Sequence, residues 1–473
     1  MRGLVFGLLA GLLSSALLAG CGRISFDPGD GTGVGDGGAR GDGGGDAGPP
    51  AESEVLDVTG PGTEQINDLA FGPGGELAMI GGYGGSVQLG GMGLTSAAGG
   101  GDLMLALIGT DRAARWGYTL GATTMALGQN VVWEGATVIG GGYFAGTTQL
   151  GALSSGGGQD VVLVRATAAG DAVTAAGWGG SQNVQLRALA SDGTATAIGG
   201  VYGGSPNFGA GPIATALADN GFVAVGGPAT FPTTRALLGG SDIYVNDLEF
   251  DADGALCVTG RFNATTDFGA GAVGSAGSSA FVAKYEAGLA LRWVRAFGTG
   301  LNATGVTATA DGDCVAIGMY QGTITVDAET VTAVGGEDVY IGRFDAASGA
   351  AHWLRSLGGA TADLAFGVVV LPSQQVVVAG SLTGASSLGG LTLTSEGASD
   401  GYVAVLTGAG VPQALLRVGG TGAITNTTGG ITSDPARGVI AAGFQFTGEL
   451  VVDGVTRTAV GTDAAIVILP IAP

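Results

Sequence analysis

The chain repeats a short motif along most of its length, and this repeat limits its fold more than any other feature. A run of small or aliphatic residues ending in glycine returns seven times, at intervals of about 60 residues. The seven copies are Met79-Ile80-Gly81, Val138-Ile139-Gly140, Ala197-Ile198-Gly199, Val258-Thr259-Gly260, Ala316-Ile317-Gly318, Val378-Ala379-Gly380 and Ala441-Ala442-Gly443. Units of this size cannot bury their apolar surface alone and must pack against their neighbours.

Two further landmarks follow each copy. An acidic or amide residue opens an apolar segment at Asp102, Asp160, Asn220, near Ala280, and at Asp338, Asp400 and Asp463. A later segment often holds Trp and Arg ahead of a glycine pair, as in Arg115-Trp116, Arg292-Trp293-Val294-Arg295, His352-Trp353-Leu354-Arg355 and Leu415-Leu416-Arg417. The apolar runs are short and bounded by Gly, Asp, Ser and Thr, which indicates strands rather than helices.

Each repeat is predicted to contain four short antiparallel strands. In the fourth repeat these are residues 245–250, 255–261, 280–285 and 291–297. Two-residue hairpin turns are predicted between first and second strands, at Gly74-Gly75, Asp192-Gly193, Asp253-Gly254 and Asp311-Gly312. Four such strands per repeat are typical of one propeller blade. The sequence therefore predicts an all-β fold, a seven-bladed β-propeller of four-stranded blades.

The two ends of the repeat array predict how the propeller closes. The last repeat reaches only its third strand, residues 466–469, whereas residues 54–58 precede the first repeat and have the pattern of a fourth strand. We expect this N-terminal strand to complete the last blade and close the ring, because an open sheet edge promotes aggregation. The 98 glycines and many Ala and Val residues suit strands that crowd near an axis.

The repeats resemble those of β-propeller proteins found on bacterial surfaces. The best match is the fourth repeat, with Val258-Thr259-Gly260, Ala280-Phe281-Val282-Ala283-Lys284-Tyr285, Trp293 and Phe297-Gly298. The resemblance spans nearly all of the mature chain and implies the propeller fold. It brings no catalytic residues with it, since that family shares none. Repeats two, three and six lack the Trp-Arg pair at the usual place.

The N-terminus has the features of a secretory leader. Met1-Arg2 precedes an apolar run from Leu4 to Leu18, which is too short for a membrane-spanning helix. The run ends in Leu18-Ala19-Gly20-Cys21, which resembles the bacterial lipobox and implies cleavage after residue 20 and lipidation of Cys21. Acyl chains on Cys21 would hold the protein on a membrane. The alternative is an ordinary cleaved signal followed by a chance cysteine.

Residues 21–52 are expected to form a flexible tether, and residues 53–473 the propeller. Asp30, Asp36, Asp42 and Asp46 are spaced irregularly among glycines, which favours a linker over a calcium-binding array. Gly22 after the lipidated cysteine resembles the default outer-membrane signal. We therefore expect a lipid-anchored protein of the outer membrane, either periplasmic or surface-exposed.

The charge balance bears on the partners of the chain. It has 17 basic and 39 acidic residues, and its formal net charge is −22. Such a surface repels phosphate backbones, so nucleic acid is not an expected partner. Cationic partners or divalent metals are compatible with it.

The single histidine and the two cysteines of the repeats are expected to be structural. His352 is predicted on an outer strand, away from the central loops. Cys257 and Cys314 are predicted on second strands of neighbouring blades. Facing sheets lie about 10 Å apart, which exceeds the Cα separation of a disulfide. We expect two buried reduced thiols, and a disulfide between them is the alternative.

The acidic turns suggest either hairpin chemistry or calcium binding. Asp251-Ala252-Asp253-Gly254 and Asp311-Gly312-Asp313 resemble fragments of calcium loops but lack the downstream glutamate. Turn chemistry explains them without a metal. The recurrent aspartates of the second landmark occupy one structural position, which favours strand-start stabilisation over a ring of metal carboxylates.

The sequence favours a non-enzymatic interaction or structural module of the cell envelope, a monomer without a cofactor. Loops at one mouth of the propeller would bind an envelope protein or a polysaccharide. Two alternatives stay open. One is a carbohydrate-active or other hydrolytic propeller that uses Glu249, Asp267, Glu286 and Asp327, and the other is a calcium-stabilised propeller.

Overall fold

The computed structural model describes residues 53–96, 101–275, 277–298, 302–425 and 430–471, with backbone alone for residues 216–218 and 241. These residues form strands, turns and bends and contain no helix. Within these ranges, no helix with the length and apolar character needed to cross a membrane is found. The leader, Cys21 and the tether lie outside the described residues.

The strands fall into units that we number 1 to 7 after the sequence repeats. The first strand is β1 (Glu54–Thr59). Unit 1 holds β2 (Gln65–Phe71), β3 (Leu77–Tyr83), β4 (Ser86–Leu89), β5 (Met92–Thr95), β6 (Asp102–Ile108) and β7 (Ala114–Leu120). Unit 2 holds β8 (Met125–Glu134), β9 (Thr137–Thr147), β10 (Ser154–Thr167) and β11 (Thr174–Trp178). Unit 3 holds β12 (Val184–Ser191), β13 (Thr196–Gly204), β14 (Ala216–Gly226) and the first half of β15 (Thr233–Phe250).

Unit 4 continues with the second half of β15, β16 (Leu256–Asp267), β17 (Ala272–Val273), β18 (Ser278–Tyr285) and β19 (Leu291–Phe297). Unit 5 holds β20 (Asn302–Ala308), β21 (Cys314–Tyr320), β22 (Thr323–Val326), β23 (Glu329–Thr332), β24 (Asp338–Phe344) and β25 (Ala351–Gly359). Unit 6 holds β26 (Leu364–Val370), β27 (Val376–Leu382), β28 (Ala385–Leu388), β29 (Leu391–Thr394), β30 (Asp400–Leu406) and β31 (Pro412–Val418). Unit 7 holds β32 (Ala423–Ile424), β33 (Ile431–Asp434), β34 (Val439–Thr447), β35 (Glu449–Val452), β36 (Val455–Thr458) and β37 (Asp463–Pro470).

Four strands of each unit pair in antiparallel order. In unit 4 the order is β15, β16, β18 and β19, and these strands cover the four segments predicted from the sequence. The shorter hairpins, such as β4–β5 and β22–β23, are additions between the second and third strands. The observed fold is therefore all-β, as predicted.

Three of the four predicted turns between first and second strands are one residue longer than predicted. The turn of unit 3, where the Asp192 N–H donates to the Ala195 carbonyl, has the predicted length. In unit 4 the Asp251 N–H donates to the Ala255 carbonyl at 2.8 Å, and the Gly254 N–H donates to the Asp251 carbonyl at 3.0 Å. Gly254 has a φ of +78°, which glycine adopts without strain. Three-residue hairpin loops commonly end in such a residue. The Asp-Gly pairs thus mark the turns correctly, whereas the predicted length holds only in unit 3.

A β-bulge interrupts the first strand in each of units 1 to 6. The extra residues are Asn67, Gln129, Arg187, Asn246, Thr304 and Phe366, which we call the bulge residues. A bulge bends its strand and turns a side chain in a new direction. We call the end of the units where these residues lie the bulge end, and the end with the first-to-second turns the turn end.

The bulges explain the glycine of the first landmark. In each bulged unit, the carbonyl oxygen two residues before the bulge residue points at a glycine on the second strand. These glycines are Gly81, Gly142, Gly200, Gly260, Gly318 and Gly380. A Cβ atom at any of them would overlap that oxygen, so no other residue fits. The sequence landmark identifies this glycine in units 1, 4, 5 and 6, and lies slightly early in units 2 and 3.

The first strands lie against one another from unit to unit. β2 contacts β8, β8 contacts β12, and the series continues through β15, β20, β26 and β33. β33 also contacts β2, so the first strands of units 7 and 1 are neighbours. The apolar core lies between consecutive units. Between units 7 and 1, for example, it contains Ile66, Ala441 and Ile466.

The strand β1 pairs with the third strand of unit 7. Its partner is β37, in an antiparallel register that runs from Glu54 opposite Ile468 to Val58 opposite Ala464. Two ion pairs support this position. Arg457 Nε lies 2.8 Å from Asp57 Oδ1, and Arg112 Nε of unit 1 lies 2.6 Å from Glu54 Oε2. β1 therefore occupies the place of a fourth strand in unit 7.

The tryptophan of the third landmark fastens one unit to the next. Trp293 Nε1 on β19 donates to the Ala346 carbonyl, in the turn between β24 and β25, at 3.0 Å. Arg295 Nε donates to the Gly349 carbonyl of the same turn at 2.9 Å. Equivalent bonds join Trp116 to Ala168 and Trp353 to Gly408. The Trp-Arg pair is thus an inter-unit clamp.

Unit 6 lacks this clamp for a topological reason. Ala414 and Leu416 stand where Trp and Arg stand in units 4 and 5. In unit 7 no turn joins a third to a fourth strand, because β1 comes from the start of the array. Arg417 Nη1 instead lies 2.6 Å from Glu396 and 3.5 Å from Asp400 of its own unit.

The expectation of two reduced thiols at Cys257 and Cys314 is wrong. The two residues form a disulfide, with their Cα atoms 5.7 Å apart. Evenly separated sheets would hold the two residues too far apart for this bond. Units 4 and 5 instead converge at their inner strands, where β20 contacts both β16 and β18. The disulfide joins the second strands of these two units.

Replacement of Gly260 by alanine should destabilise the fold. The new Cβ would overlap the Tyr244 carbonyl oxygen, and overpacking against backbone costs roughly 1–3 kcal/mol. Urea unfolding of the chain from residue 53 measures this loss. Gly288→Ala is the control, since its Cβ would have no neighbour within 4 Å. Equal stability of the two variants would contradict the account of the bulges.

The double variant Cys257→Ala/Cys314→Ala should lose about 2–4 kcal/mol of unfolding free energy, because the bond closes a loop across a sequence separation of 57. Intact-mass measurement after alkylation with and without reductant tests the bond directly. Alkylation of both thiols in the folded, unreduced protein would show that the bond does not form.

Candidate functional site

Three bulge residues tie their unit to the next one. Each donates to the carbonyl of the residue that precedes the next bulge residue. The bonds run from Asn67 to Gly128 at 2.6 Å, from Asn246 to Ala303 at 2.8 Å, and from Thr304 to Ala365 at 3.0 Å. The repetition of one bond shows that the bulge positions are equivalent in space as well as in sequence.

Two aspartates next to bulge residues extend these ties. Asp68 Oδ2 accepts from the Val131 N–H at 2.9 Å, and Asp247 Oδ2 accepts from the Val306 N–H at 2.8 Å. The donors lie on the first strand of the following unit in both cases. These carboxyls therefore satisfy backbone groups that the first strands leave unpaired.

Three carboxyl groups of the first strands have raised pKa values. Burial raises the pKa of Asp68 to about 7, and burial with the charge of Asp68 raises the pKa of Asp247 to about 7. Burial and the charges of Asp247 and Asp68 raise the pKa of Glu249 to about 8. A carboxyl that keeps its proton at neutral pH can donate it, so Glu249 is the group that a hydrolytic activity would use.

The bulge residue of unit 3 departs most from its counterparts. The Arg187 guanidinium lies 4.9 Å from the ring centroid of Tyr244, and the Arg261 guanidinium lies 4.4 Å from it. Tyr244 faces Arg261 across the β15–β16 ladder, and its hydroxyl donates to Asp219 Oδ2 at 2.9 Å. We call Tyr143, Arg187, Asp219, Tyr244 and Arg261 the Arg–Tyr cluster.

The cluster brings two positive charges to one tyrosine ring. Burial lowers the pKa of Arg187, Tyr244 and Tyr143 oppose that shift, and Arg261 adds to it. Arg187 Nε is buried and has no hydrogen-bond partner. Arginine keeps its charge in proteins, so this guanidinium is a charged group with an unused donor. The guanidinium groups of Arg187 and Arg261 lie 4.9 Å and 4.4 Å from the centroid of the Tyr244 ring, which offers a cation–π contact to each.

The recurrent aspartates of the second landmark stabilise the start of the third strand. Asp338 is fully buried, and its Oδ2 accepts from the Val334 N–H, four residues earlier, at 3.0 Å. A Cβ at Gly358 would overlap this carboxyl. Asp160 and Asp400 lie against Gly179 and Gly419 in the same way. The glycine pair of the third landmark therefore makes room for the aspartate.

The first acidic turn is occupied by protein donors. Asp251 Oδ2 lies 2.6 Å from Nζ of Lys284, the only lysine of the chain, and both side chains are buried. Lys284 also donates to the Gly312 carbonyl in the next unit. Asp251 Oδ1 accepts from the N–H groups of Asp253 and Ala255. The turn thus has the ion pair and hairpin bonds that explain it without calcium.

His352 lies beside the second acidic turn, near two carboxylates. Its Nε2 is 3.1 Å from Asp313 Oδ2 and 3.9 Å from Asp345 Oδ2. An imidazole with two carboxylates could hold a transition metal. Arg343 Nε, however, binds the same Asp313 oxygen at 2.8 Å, and the Ala346 N–H binds the other at 2.8 Å. These protein donors make the group an ion-pair network at the turn end.

The four carboxylates proposed for hydrolysis have separate partners. Glu249 lies near Asp247 and Asp68. The others bind locally: Asp267 to the N–H groups of Gly269 and Gly271, Glu286 to Arg292, and Asp327 to Arg295. The structure therefore gives no common site to the four.

Sequence reasoning missed the bulge residues and the Arg–Tyr cluster. A signal for the bulges was present in Ile66-Asn67-Asp68-Leu69 and Val245-Asn246-Asp247-Leu248. Two consecutive polar residues inside an apolar strand break the alternation of a regular strand, as an inserted residue does. No comparable signal marked the meeting of Arg187, Tyr244 and Arg261, which are brought together by packing between units.

Comparisons with known proteins find solved structures of low sequence identity to this chain. No family model and no curated protein matches the chain. A solved structure of YCF48 bound to a D1 peptide is 11% identical, with a TM-score of 0.44, and the match covers 89% of this chain and 98% of that one. A protein of unknown function from Dyadobacter fermentans DSM 18053 is 11% identical, with a TM-score of 0.42 and coverage of 90% and 99%. A phage phi92 endosialidase is 8% identical, with a TM-score of 0.39 and coverage of 89% and 70%.

The variant Glu249→Gln should make stability less dependent on pH. A carboxyl whose pKa is raised by folding holds its proton more tightly in the folded state. Its stabilising contribution is therefore present below about pH 4.5 and is lost as the pH rises towards 8. Between pH 5 and pH 8.5, the unfolding free energy of the parent protein should fall more steeply than that of the variant.

Urea unfolding across this pH range provides the measurement. Glu286→Gln is the control, since that carboxyl is exposed, paired with Arg292, and has a lowered pKa. It should keep the downward slope of the parent. Identical slopes for Glu249→Gln and the parent would show that Glu249 does not titrate in this range.

Proposed function

We propose that this chain is a lipid-anchored cell-envelope protein whose seven repeats close into a seven-bladed β-propeller. In this proposal the propeller is a non-enzymatic interaction module, and its binding site is the Arg–Tyr cluster at the bulge end. The observation that carries the proposal is the break in symmetry at Arg187. Three other bulge residues, Asn67, Asn246 and Thr304, bind the next unit, whereas Arg187 carries an unused charged donor.

Two observations support a closed ring. The first strands contact one another in series, and β33 contacts β2. The strand β1 supplies the edge partner of β37. A ring built in this way has no unpaired edge at the junction between units 7 and 1, which protects it from edge-to-edge association.

The equivalence of the bulge positions supports a binding role at the bulge end. Asn67, Asn246 and Thr304 use their polar groups to bind the next unit. Arg187 makes no such bond and contacts Tyr244 instead. A charged side chain that the fold does not use, placed at one end of a symmetric scaffold, is what a binding surface requires.

The non-enzymatic part of the proposal rests on how the candidate groups are engaged. His352 lies in an exposed ion-pair network with Asp313. Asp267, Glu286 and Asp327 hold local turns or arginines. The remaining candidate, Glu249, lies near Asp247 and Asp68. Both of these carboxyls accept a backbone N–H of the next unit, from Val306 and Val131.

The proposed anchor is the lipidated Cys21, joined to the propeller by the tether of residues 21–52. It rests on the sequence Leu18-Ala19-Gly20-Cys21. The tether would hold the propeller away from the membrane surface and leave the bulge end accessible.

The variant Cys21→Ser should release the protein from the membrane fraction, because it removes the thiol that carries the acyl chains. Retention of this variant in the membrane fraction would contradict the anchor.

Photo-crosslinking in the intact envelope tests the interaction site. A benzophenone amino acid at Gln129, on the bulge end, should trap a discrete partner. The same probe at Glu286, an exposed residue of the turn end, is the matched control and should not. Equal crosslinking at the two positions, or none at Gln129, would contradict the proposed site.

A further inference from the structure

We propose that Arg187 and Arg261 bind a carboxylate, the free C-terminal carboxylate of a peptide that is otherwise uncharged or basic. This inference rests on the proposed function and names the ligand of that same site. It is carried by two arginines that have no acidic partner within 4.0 Å among the described residues, by the tyrosine ring that both of them contact, and by the acidic net charge of the chain.

The first step is the pairing of the basic side chains within the described residues. Lys284 and ten of the arginines have an acidic partner within 4.0 Å. Arg235 has none but donates twice to the Leu289 carbonyl. Arg187 and Arg261 have neither kind of partner, although the chain holds 39 acidic residues against 17 basic ones. The two unpaired cations are neighbours.

The second step is the cost of that arrangement without a ligand. Arg261 lowers the pKa of Arg187, so their charges repel each other. Arg187 Nε is buried without an acceptor, and a buried donor left unpaired costs about 1–3 kcal/mol. An anion held by both guanidinium groups would remove the repulsion and give them an acceptor. Carboxylates match the planar fork of arginine donors particularly well.

The third step concerns the geometry of the site. Tyr244 holds both guanidinium groups on its ring, and Asp219 fixes the Tyr244 hydroxyl at 2.9 Å. The arginines are thereby positioned before a ligand arrives, which reduces the entropy lost on binding. Tyr143 adds a phenol near Arg187, at the side of unit 2.

The net charge of the chain restricts the ligand further. At −22 the protein repels polyanions, and Asp219 adds a negative charge at the rim of the cluster. A polyuronate carries a carboxylate on every sugar and would meet this repulsion along its length. A peptide end offers one carboxylate, and upstream basic side chains would be attracted. The charges therefore favour a peptide C-terminus over an acidic polysaccharide.

Calorimetric titration of the full chain with defined probes tests this proposal. The probes are a randomised library of N-acetylated hexapeptides with one fixed lysine, prepared as free acids or as C-terminal amides, and oligogalacturonate. The free acids should bind, and the amides should bind at least tenfold more weakly. Arg187→Gln and Arg261→Gln should lose at least tenfold in affinity for the free acids. Arg292→Gln, which removes a paired arginine at the turn end, should leave it unchanged.

The other outcomes would overturn the proposal. Equal binding of acids and amides would show that the carboxylate is not recognised, and binding of oligogalacturonate alone would replace the peptide by a polysaccharide. No binding of any carboxylate probe would also reject it. In that case the photo-crosslink at Gln129 distinguishes the two proposals. A crosslinked partner would keep the proposed function and reject only the carboxylate ligand, whereas no crosslink would reject both.

The stability of the free protein gives a second, independent readout. If the role of Arg187 is to bind a ligand, Arg187→Met should leave the midpoint of urea unfolding unchanged or raise it. The substitution removes a desolvated charge and keeps the apolar part of the side chain. If Arg187 serves the fold, the same variant should lower the midpoint. A lowered midpoint together with unchanged peptide affinity would assign Arg187 a structural role.

Discussion

The close contact between a first-strand carbonyl and a second-strand glycine supports much of this structure. It occurs beside the bulge in each of units 1 to 6, and it forces glycine at one position of every bulged repeat. The bulge it accompanies turns a side chain towards the next unit, where Asn67, Asn246 and Thr304 find backbone acceptors. One local distortion of the backbone therefore determines a sequence signature, an inter-unit bond and the position of Arg187.

The units are held together by polar contacts that repeat in the same order. Trp293 and Arg295 bind the turn of unit 5, Lys284 reaches the turn of that unit from a buried ion pair, and a disulfide joins the same two units. Each of these groups is satisfied by the following unit. Stability in such an array depends on the contacts between neighbouring units, so these three kinds of contact stabilise units 4 and 5 together.

The strand content and the order of strands could be predicted from the sequence because both follow from apolar runs and turn residues. The four segments predicted for unit 4 lie within β15, β16, β18 and β19. The Cys257–Cys314 disulfide was missed because the spacing of two sheets at one point depends on how the units converge. The Arg–Tyr cluster was missed for a similar reason, since Arg187 and Tyr244 belong to different units and no sequence pattern links them. What a residue faces across a unit boundary is decided by packing, whereas its place within a strand is decided locally.

The pairing of β1 with β37 has a consequence for how the protein is made. Asp57 and Arg457 form an ion pair although 400 residues separate them, so the earliest strand to leave the ribosome must wait for one of the last. During synthesis the intermediate units can form in turn, while β1 stays without its partner. The time spent in this unfinished state grows with the length of the nascent chain, and factors that shield exposed strands would act on β1 first.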